Sequence, residues 1–268
     1  VTHIANFAVK VVFILKLTPS KSRDANVGKV DKYKNLLPLE QRQQMAFFTA
    51  DFLEFFIELA PNNNKDWFDL NRKRYETSVR EPFRHFVQHL IDVLAVKQTE
   101  FKGLEAKDCI FRINRDIRFS KDKTPYKMNV SAIISPNGKK SQAVNGVYFE
   151  LGPEHVRVYG GIYEIDKDDL LAVREGIAAN LDGFKKAYSN PKFVKVFNHM
   201  IGEKNKIIPK ELRQAAEVEP LIFNKQWYFY AQFDAEDILR EDLDAVILNC
   251  YEAGKPVEEF FSKLIKRN

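Results

Sequence analysis

Cysteine is nearly absent: Cys109 and Cys250 are the only two in 268 residues. Two thiols exclude a disulfide framework and a thiolate metal cluster, and both stand in apolar stretches, which predicts reduced, buried side chains in a cytoplasmic protein. Long apolar runs are lacking as well. Ile4 to Leu17 spans 14 residues and is interrupted by Lys10 and Lys16, against the roughly 20 residues that a membrane span needs. Neither Val1-Thr2-His3 before it nor Leu17-Thr18-Pro19-Ser20 after it has the form of a signal peptide. Glycine is sparse at 11 residues, and no P-loop, dinucleotide fingerprint, Gly-x-Ser-x-Gly elbow or Cys-x-x-Cys occurs. The familiar NTPase, Rossmann and serine-hydrolase mechanisms therefore find no support, and cofactor and reaction stay open.

What the chain has in quantity is aromatic residues and charge. Its 22 Phe, 10 Tyr and 2 Trp predict an aromatic-rich core. The formal charge is +5 with a pI near 8.9, yet residues 1–44 hold eight basic and three acidic residues and so carry all of that excess. From Pro19 to Gln44 there is neither helical nor strand period, and 1–44 are expected to be disordered or an extension upstream of a start at Met45. A short membrane- or partner-associating tail is the alternative. Residues 45–268 are expected to form a single domain.

The pattern within that domain predicts an α+β fold. Phe52, Phe55, Phe56 and Leu59 share a helix face after Thr49, Asn62-Asn63-Asn64 turns the chain and caps a second helix from Lys65 to Ser78, and Pro82 opens a third that runs to Lys97. The period then changes to two. Cys109, Phe111 and Ile113, then Tyr126 to Ile134, Val147 to Leu151 and Val156 to Gly160 read as successive strands of an antiparallel meander. One helix from Asp166 or Asp168 to Ser189, a short one after Pro191, and a turn after Pro209 follow. A returning strand over Gln226–Phe233 comes next, then two last helices divided at Gly254 and Pro256. N-terminal and C-terminal helices are thus expected to cover one face of the sheet.

The segment 110–127 stands apart electrically. It carries Arg112, Arg115, Arg118, Lys121, Lys123 and Lys127 against Asp116 and Asp122, a net +4 on a body of residues 45–268 that is neutral in total. Converging arginines suit a phosphate or carboxylate, with Arg supplying forked donors and Lys a point charge. The expected ligand-binding set is Arg112, Arg115, Arg118, Lys123, Tyr126 and Lys127, bordered by Trp67 and Tyr75 from the second helix. Asp116 is the candidate base, or else orients an arginine. Strand pleating would put Arg112, Lys127 and Asn129 on one face. The ligand is then a small anion, such as a nucleotide or another phosphorylated metabolite. Nucleic acid is the alternative partner, read by the same arginines with Phe119 and Tyr126 stacking on bases. A structural or partner-binding protein braced by internal Arg–Asp pairs is the third possibility. His85 and His89 have the spacing of half a zinc site but lack the intervening Glu, and no metal is expected there. Glu150 and Glu164 could join Asp116 only around a divalent cation. Gly160-Gly161 reads as a bend or a close backbone approach.

Taken together, Asn64-x-x-Trp67-Phe68, Arg74-Tyr75-Glu76, the run from Phe111-Arg112-Ile113-x-Arg115-Asp116 to Pro125-Tyr126-Lys127, and Tyr159-Gly160-Gly161 resemble the DUF2461 (TIGR02453) family of bacterial and fungal proteins. The resemblance covers Phe47 to the C-terminus. It implies a compact single domain without an assigned catalytic residue.

Overall fold

The computed structural model describes residues 46–140 and 146–265. The expectations for 1–44 lie outside these residues. Four strands, β1 (Val130–Ile134), β2 (Val147–Leu151), β3 (Val156–Ile162) and β4 (Trp227–Phe233), form one sheet in the order β1-β2-β3-β4, every pair antiparallel. The returning C-terminal strand therefore closes the meander beside β3, as its alternating pattern predicts.

One sheet face is the core. Val147, Phe149 and Leu151 of β2 point into it, as do Val156 and Val158 of β3 and Trp227 and Phe229 of β4, all nearly devoid of solvent exposure. Helix α1 (Ala50–Leu59) buries Phe52, Phe55, Phe56 and Leu59 and ends where Pro61 enters a tight turn. Helices α2 (Lys65–Leu70) and α3 (Arg72–Tyr75) and a wider turn over Glu76–Arg80 lead into α4 (Glu81–Ala95). There Phe83 and Phe86 set their rings edge-on to Phe149, at 5.8 and 5.9 Å. At the other end of the sheet, α8 (Pro191–Phe197) brings Phe193 and Phe197 to 4.9 and 4.5 Å from Phe229. After the short helix α9 (Arg213–Val218), helix α10 (Leu243–Ser262) runs across β3. Edge-to-face rings add to area burial in such a core, and the expected aromatic interior is present.

Five local expectations change. The segment 109–113 is not a strand: Ala106–Cys109 is a single helical turn, α5, and the chain beyond it touches its neighbours only through isolated bridges, Ile110 to Ala132 and Asn114 to Tyr126. Regular pairing on the other side likewise starts at Val130 rather than Tyr126. The second helix does not run unbroken to Ser78, because Asn71 interrupts it. The helix expected from Asp166 to Ser189 is two, α6 (Lys167–Ala179) and α7 (Leu181–Tyr188). Asn180 ends the first with its backbone N–H and caps the second by accepting from the Gly183 N–H. At the C-terminus the reverse holds, since α10 passes unbroken through Gly254 and Pro256. Gly254 serves packing there: a Cβ would lie 2.7 Å from the Phe229 ring. The buried stripe Tyr251, Gly254, Val257, Phe261 holds the helix together across the proline.

Cys109 and Cys250 are buried free thiols, and burial pushes them up to about 11 and about 12 respectively. Among the described residues no helix is long and apolar enough to cross a membrane.

Candidate functional site

The second sheet face carries no core side chains. Alternation along the strands that sends Val158 inward sends Arg157, Tyr159 and Gly161 outward, joined by Tyr148 and Glu150 of β2 and Tyr228, Tyr230 and Gln232 of β4. The register aligns them in rows. Tyr148 opposes Tyr159, which opposes Tyr230, with ring centroids 5.5 Å apart in both steps. Beside this row, Glu150 opposes Arg157, which opposes Gln232. The tyrosines, Glu150 and Arg157 line a cleft of about 1010 Å³, at the upper end of the size of small-molecule sites.

Glu150 is the polar hub at one end. Its Oε1 accepts from the Tyr159 hydroxyl at 3.1 Å and lies 3.1 Å from His155 Nε2 and 3.8 Å from Arg157 Nη1. Its Oε2 accepts from Asn129 Nδ2 at 3.3 Å and from the Tyr148 hydroxyl at 3.5 Å. Burial, with Glu150 adding to it, pushes the Tyr159 phenol up to about 12. Arg157 donates from Nε to Gln232 at 2.7 Å and lies over the Tyr230 ring.

At the other end the floor is Glu258 of α10, 4% exposed. Its Oε2 accepts from Gly146 N–H at 3.0 Å and its Oε1 from Gly161 N–H at 3.3 Å. Burial outweighs these two bonds and pushes the carboxyl up to about 8. The two glycines of the Tyr159-Gly160-Gly161 motif make room for it. A Cβ on Gly160 would lie 2.8 Å from Glu258 Oε1, and Gly161 has φ +85 with Trp227 O where a Cβ would go. The expected close backbone approach is thus between β3 and a carboxyl group.

The basic segment arrives at this face from the side. Phe111 N–H donates to Ser131 O, and the Phe111 ring lies 6.0 Å from Tyr148, so the arm 110–114 runs along the free edge of β1. Lys127 lies over Phe111, and burial together with Arg112 lowers its pKa. Arg112 and Lys127 are therefore neighbours, without the strand that was expected to align them, while Asn129 donates to Glu150. Arg112 is exposed and makes no ion pair among the described residues.

The remaining expected site residues lie elsewhere. Arg115 is held inside the loop by Asp122 and by the carbonyl and hydroxyl of Thr124. Arg118 forks onto Asp116, 2.7 Å at the closer pair, and Asp116 also accepts from the Arg118 N–H. Asp116 thus holds Arg118, and that guanidinium lowers its pKa. Lys123 donates to Ile117 O at 2.9 Å. Tyr126 is buried, stacked 4.0 Å from Phe68, with its backbone clasped by the Asn63 amide. Tyr75 and Trp67 pack on Phe55, and burial raises Tyr75 to about 12. Arg74 spans Asp51 and Glu58. His89 pairs with Asp244 at 2.9 Å while His85 sits beside Arg84. Among the described residues no three His, Cys, Asp or Glu side chains are grouped so as to hold a metal, and Asp116, Glu150 and Glu164 do not meet.

Sequence reasoning missed the tyrosine row and Glu258. The available signals were three outward tyrosines on consecutive strands and a glutamate on the buried stripe of α10.

An antiparallel α+β protein with one helix-covered face and one tyrosine-lined cleft is the class this defines. The chain belongs to the DUF2461 family, described as a conserved hypothetical protein, whose model matches residues 51–260. No curated protein matches it.

Proposed function

We propose that this protein binds a ring-bearing small molecule with an acidic group, such as a nucleotide or another phosphorylated metabolite, in the cleft over the tyrosine-lined sheet face. The observation that carries this is the Tyr148–Tyr159–Tyr230 row, a stacking surface built on three strands. Aromatic rings facing a cleft, with a few fixed polar groups, are what small-molecule sites are made of. The cleft is also polarised along the strands: Arg157 beside Glu150 and, at the β1 edge, Arg112 and Lys127 mark one end, while Glu164 and Asp166 mark the other. A phosphate or carboxylate belongs at the first end. This keeps Arg112 and Lys127 from the expected anion site and leaves Arg115, Arg118 and Lys123 as the loop's own fastenings. Whether bound ligand is also transformed depends on the acidic end.

A thermal-shift screen of phosphate, nucleotides, phosphorylated sugars and short oligonucleotides tests it, with Tyr159→Ala, Arg157→Ala and Arg118→Ala alongside the wild type. A ligand at 100 times its dissociation constant adds about 2.7 kcal/mol, a rise of roughly 5–10 °C. The expected shift is lost in Tyr159→Ala and Arg157→Ala and kept in Arg118→Ala. A shift abolished by Arg118→Ala alone would move the site to the loop. A steeply salt-dependent response to oligonucleotides alone would make the partner nucleic acid.

A further inference from the structure

We propose that Glu258 is a proton-donating subsite of the cleft, which takes an uncharged oxygen of the ligand (hydroxyl, ether or carbonyl) and excludes a second anion. This rests on the cleft being a ligand site. Three geometric facts support it. The carboxyl lines the cleft floor at the end away from Arg157. It abuts β3 where that strand carries no side chain, since a Cβ on Gly160 would lie 2.8 Å from its Oε1 and the Gly161 N–H donates to the same oxygen. Its fixed partners are two backbone N–H groups, one on each oxygen, and no Lys, Arg or His among the described residues pairs with it.

Burial outweighs the two N–H bonds, which favour the carboxylate, and with no cation paired to it among the described residues the carboxyl rises to about 8 and keeps its proton over the neutral range. Among the described residues, the titratable groups around it do not supply a countercharge. Tyr148, Tyr159, Tyr228 and Tyr230 face the cleft from β2, β3 and β4; Tyr163, Glu164 and Asp166 follow β3; Cys250 and Tyr251 are on its own helix. Glu164 and Asp166 are acids and so add no cation beside it. Tyr148, Tyr159, Tyr251 and Cys250 are all raised by burial and stay neutral beside it. A carboxylic acid held neutral in this way donates a hydrogen bond to an acceptor oxygen and, where the ligand reacts, can serve as a general acid.

Carbodiimide labelling of the wild-type protein, read by peptide mass spectrometry, tests both the proton and its reach. In this reaction the carboxyl proton moves to a carbodiimide nitrogen as the carboxyl oxygen bonds the central carbon. The adduct then rearranges to an N-acylurea of unchanged mass. Uncharged dicyclohexylcarbodiimide is expected to modify Glu258 at pH 7 and about tenfold more slowly at pH 9, following loss of the proton around pH 8. It should also outpace a cationic water-soluble carbodiimide at Glu258, with the reverse preference at the exposed Glu241. Absence of the Glu258 adduct, equal labelling at pH 7 and pH 9, or faster labelling by the cationic reagent would each overturn the proposal. A screen without hits would strike the ligand reading alone, because labelling needs no ligand.

Discussion

The basic loop and the tyrosine-lined sheet face are adjacent, and both look functional in the sequence, but they use their polar groups in opposite ways. In the loop, cations and their partners lie two to nine residues apart and satisfy one another: Arg115 with Asp122 and Thr124, Arg118 with Asp116, Lys123 with Ile117 O. On the sheet face the partners are brought from different strands, Glu150 gathering Tyr159, His155 and Asn129, and Glu258 arriving from a helix about a hundred residues further along. Local charge density therefore marks a self-contained fastening, whereas the cleft is assembled only by the register of the sheet. A high count of arginines per residue says little about how many remain available for a ligand.

The largest effect that separates the two regions is expected from Gly161→Ala. At φ +85, with Trp227 O where the Cβ would stand, the side chain forces β3 away from β4 and pulls the Gly161 N–H off Glu258. The cost is about 2–4 kcal/mol, measurable by denaturant unfolding. A change within about 0.5 kcal/mol would mean that β3 tolerates a side chain there and that the glycine does not serve Glu258. No glycine of the loop itself offers such a test, since none lies between 110 and 127.

Next comes the pH dependence of stability. The Glu258 carboxyl rises on folding from an ordinary 4.5 to about 8, so between these values the folded chain holds a proton that the unfolded chain has released. Stability is then full below about pH 4.5, falls as pH rises through the window, and levels off above about pH 8. The slope from this group is at most about 1.4 kcal/mol per pH unit. Glu258→Gln removes that component, and the variant should gain on the wild type by a few kcal/mol between pH 5 and pH 8 in urea melts. Parallel curves for the two proteins would show that the carboxyl ionises normally.

These two positions also show what was legible. The strands over 147–151, 156–162 and 227–233 announce themselves by strict alternation, and the phenylalanines of α1 and α4 by helical spacing, because each buries one face against a continuous partner. The alternation of Cys109, Phe111 and Ile113 misleads, since an arm that makes only single bridges along an edge can alternate without forming a ladder. Glycine and proline in α10 mislead in the other direction: tertiary burial overrides their local preference. At the site, the close approach at Gly160-Gly161 was readable from the residues alone, but not what approaches. Glu258 follows Gly254 by four residues and precedes Phe261 by three, so it lies on the buried stripe. A single acid on such a stripe is legible as buried and says nothing of which strand it meets.

The smallest effects belong to the loop, and they sharpen the comparison by being unequal. Arg115→Ala releases the Thr124 carbonyl and hydroxyl together with Asp122, at a side chain only 26% exposed, and is expected to cost about 1 kcal/mol. Arg118 is 76% exposed and forks onto an acid two residues away; Arg118→Ala should leave the melting midpoint unchanged within error and any cleft ligand unaffected. The same exposure predicts that salt weakens the Arg118–Asp116 pair and leaves Arg115 in place, because screening acts on solvated charges while the Thr124 bonds are sheltered by the loop. If Arg118→Ala destabilised the protein as much as Arg115→Ala, the loop would be one cooperative brace rather than an anchored arginine beside a solvated one. Its six cations would then be structural as a group, leaving Arg157 as the cleft's own anchor for an anion.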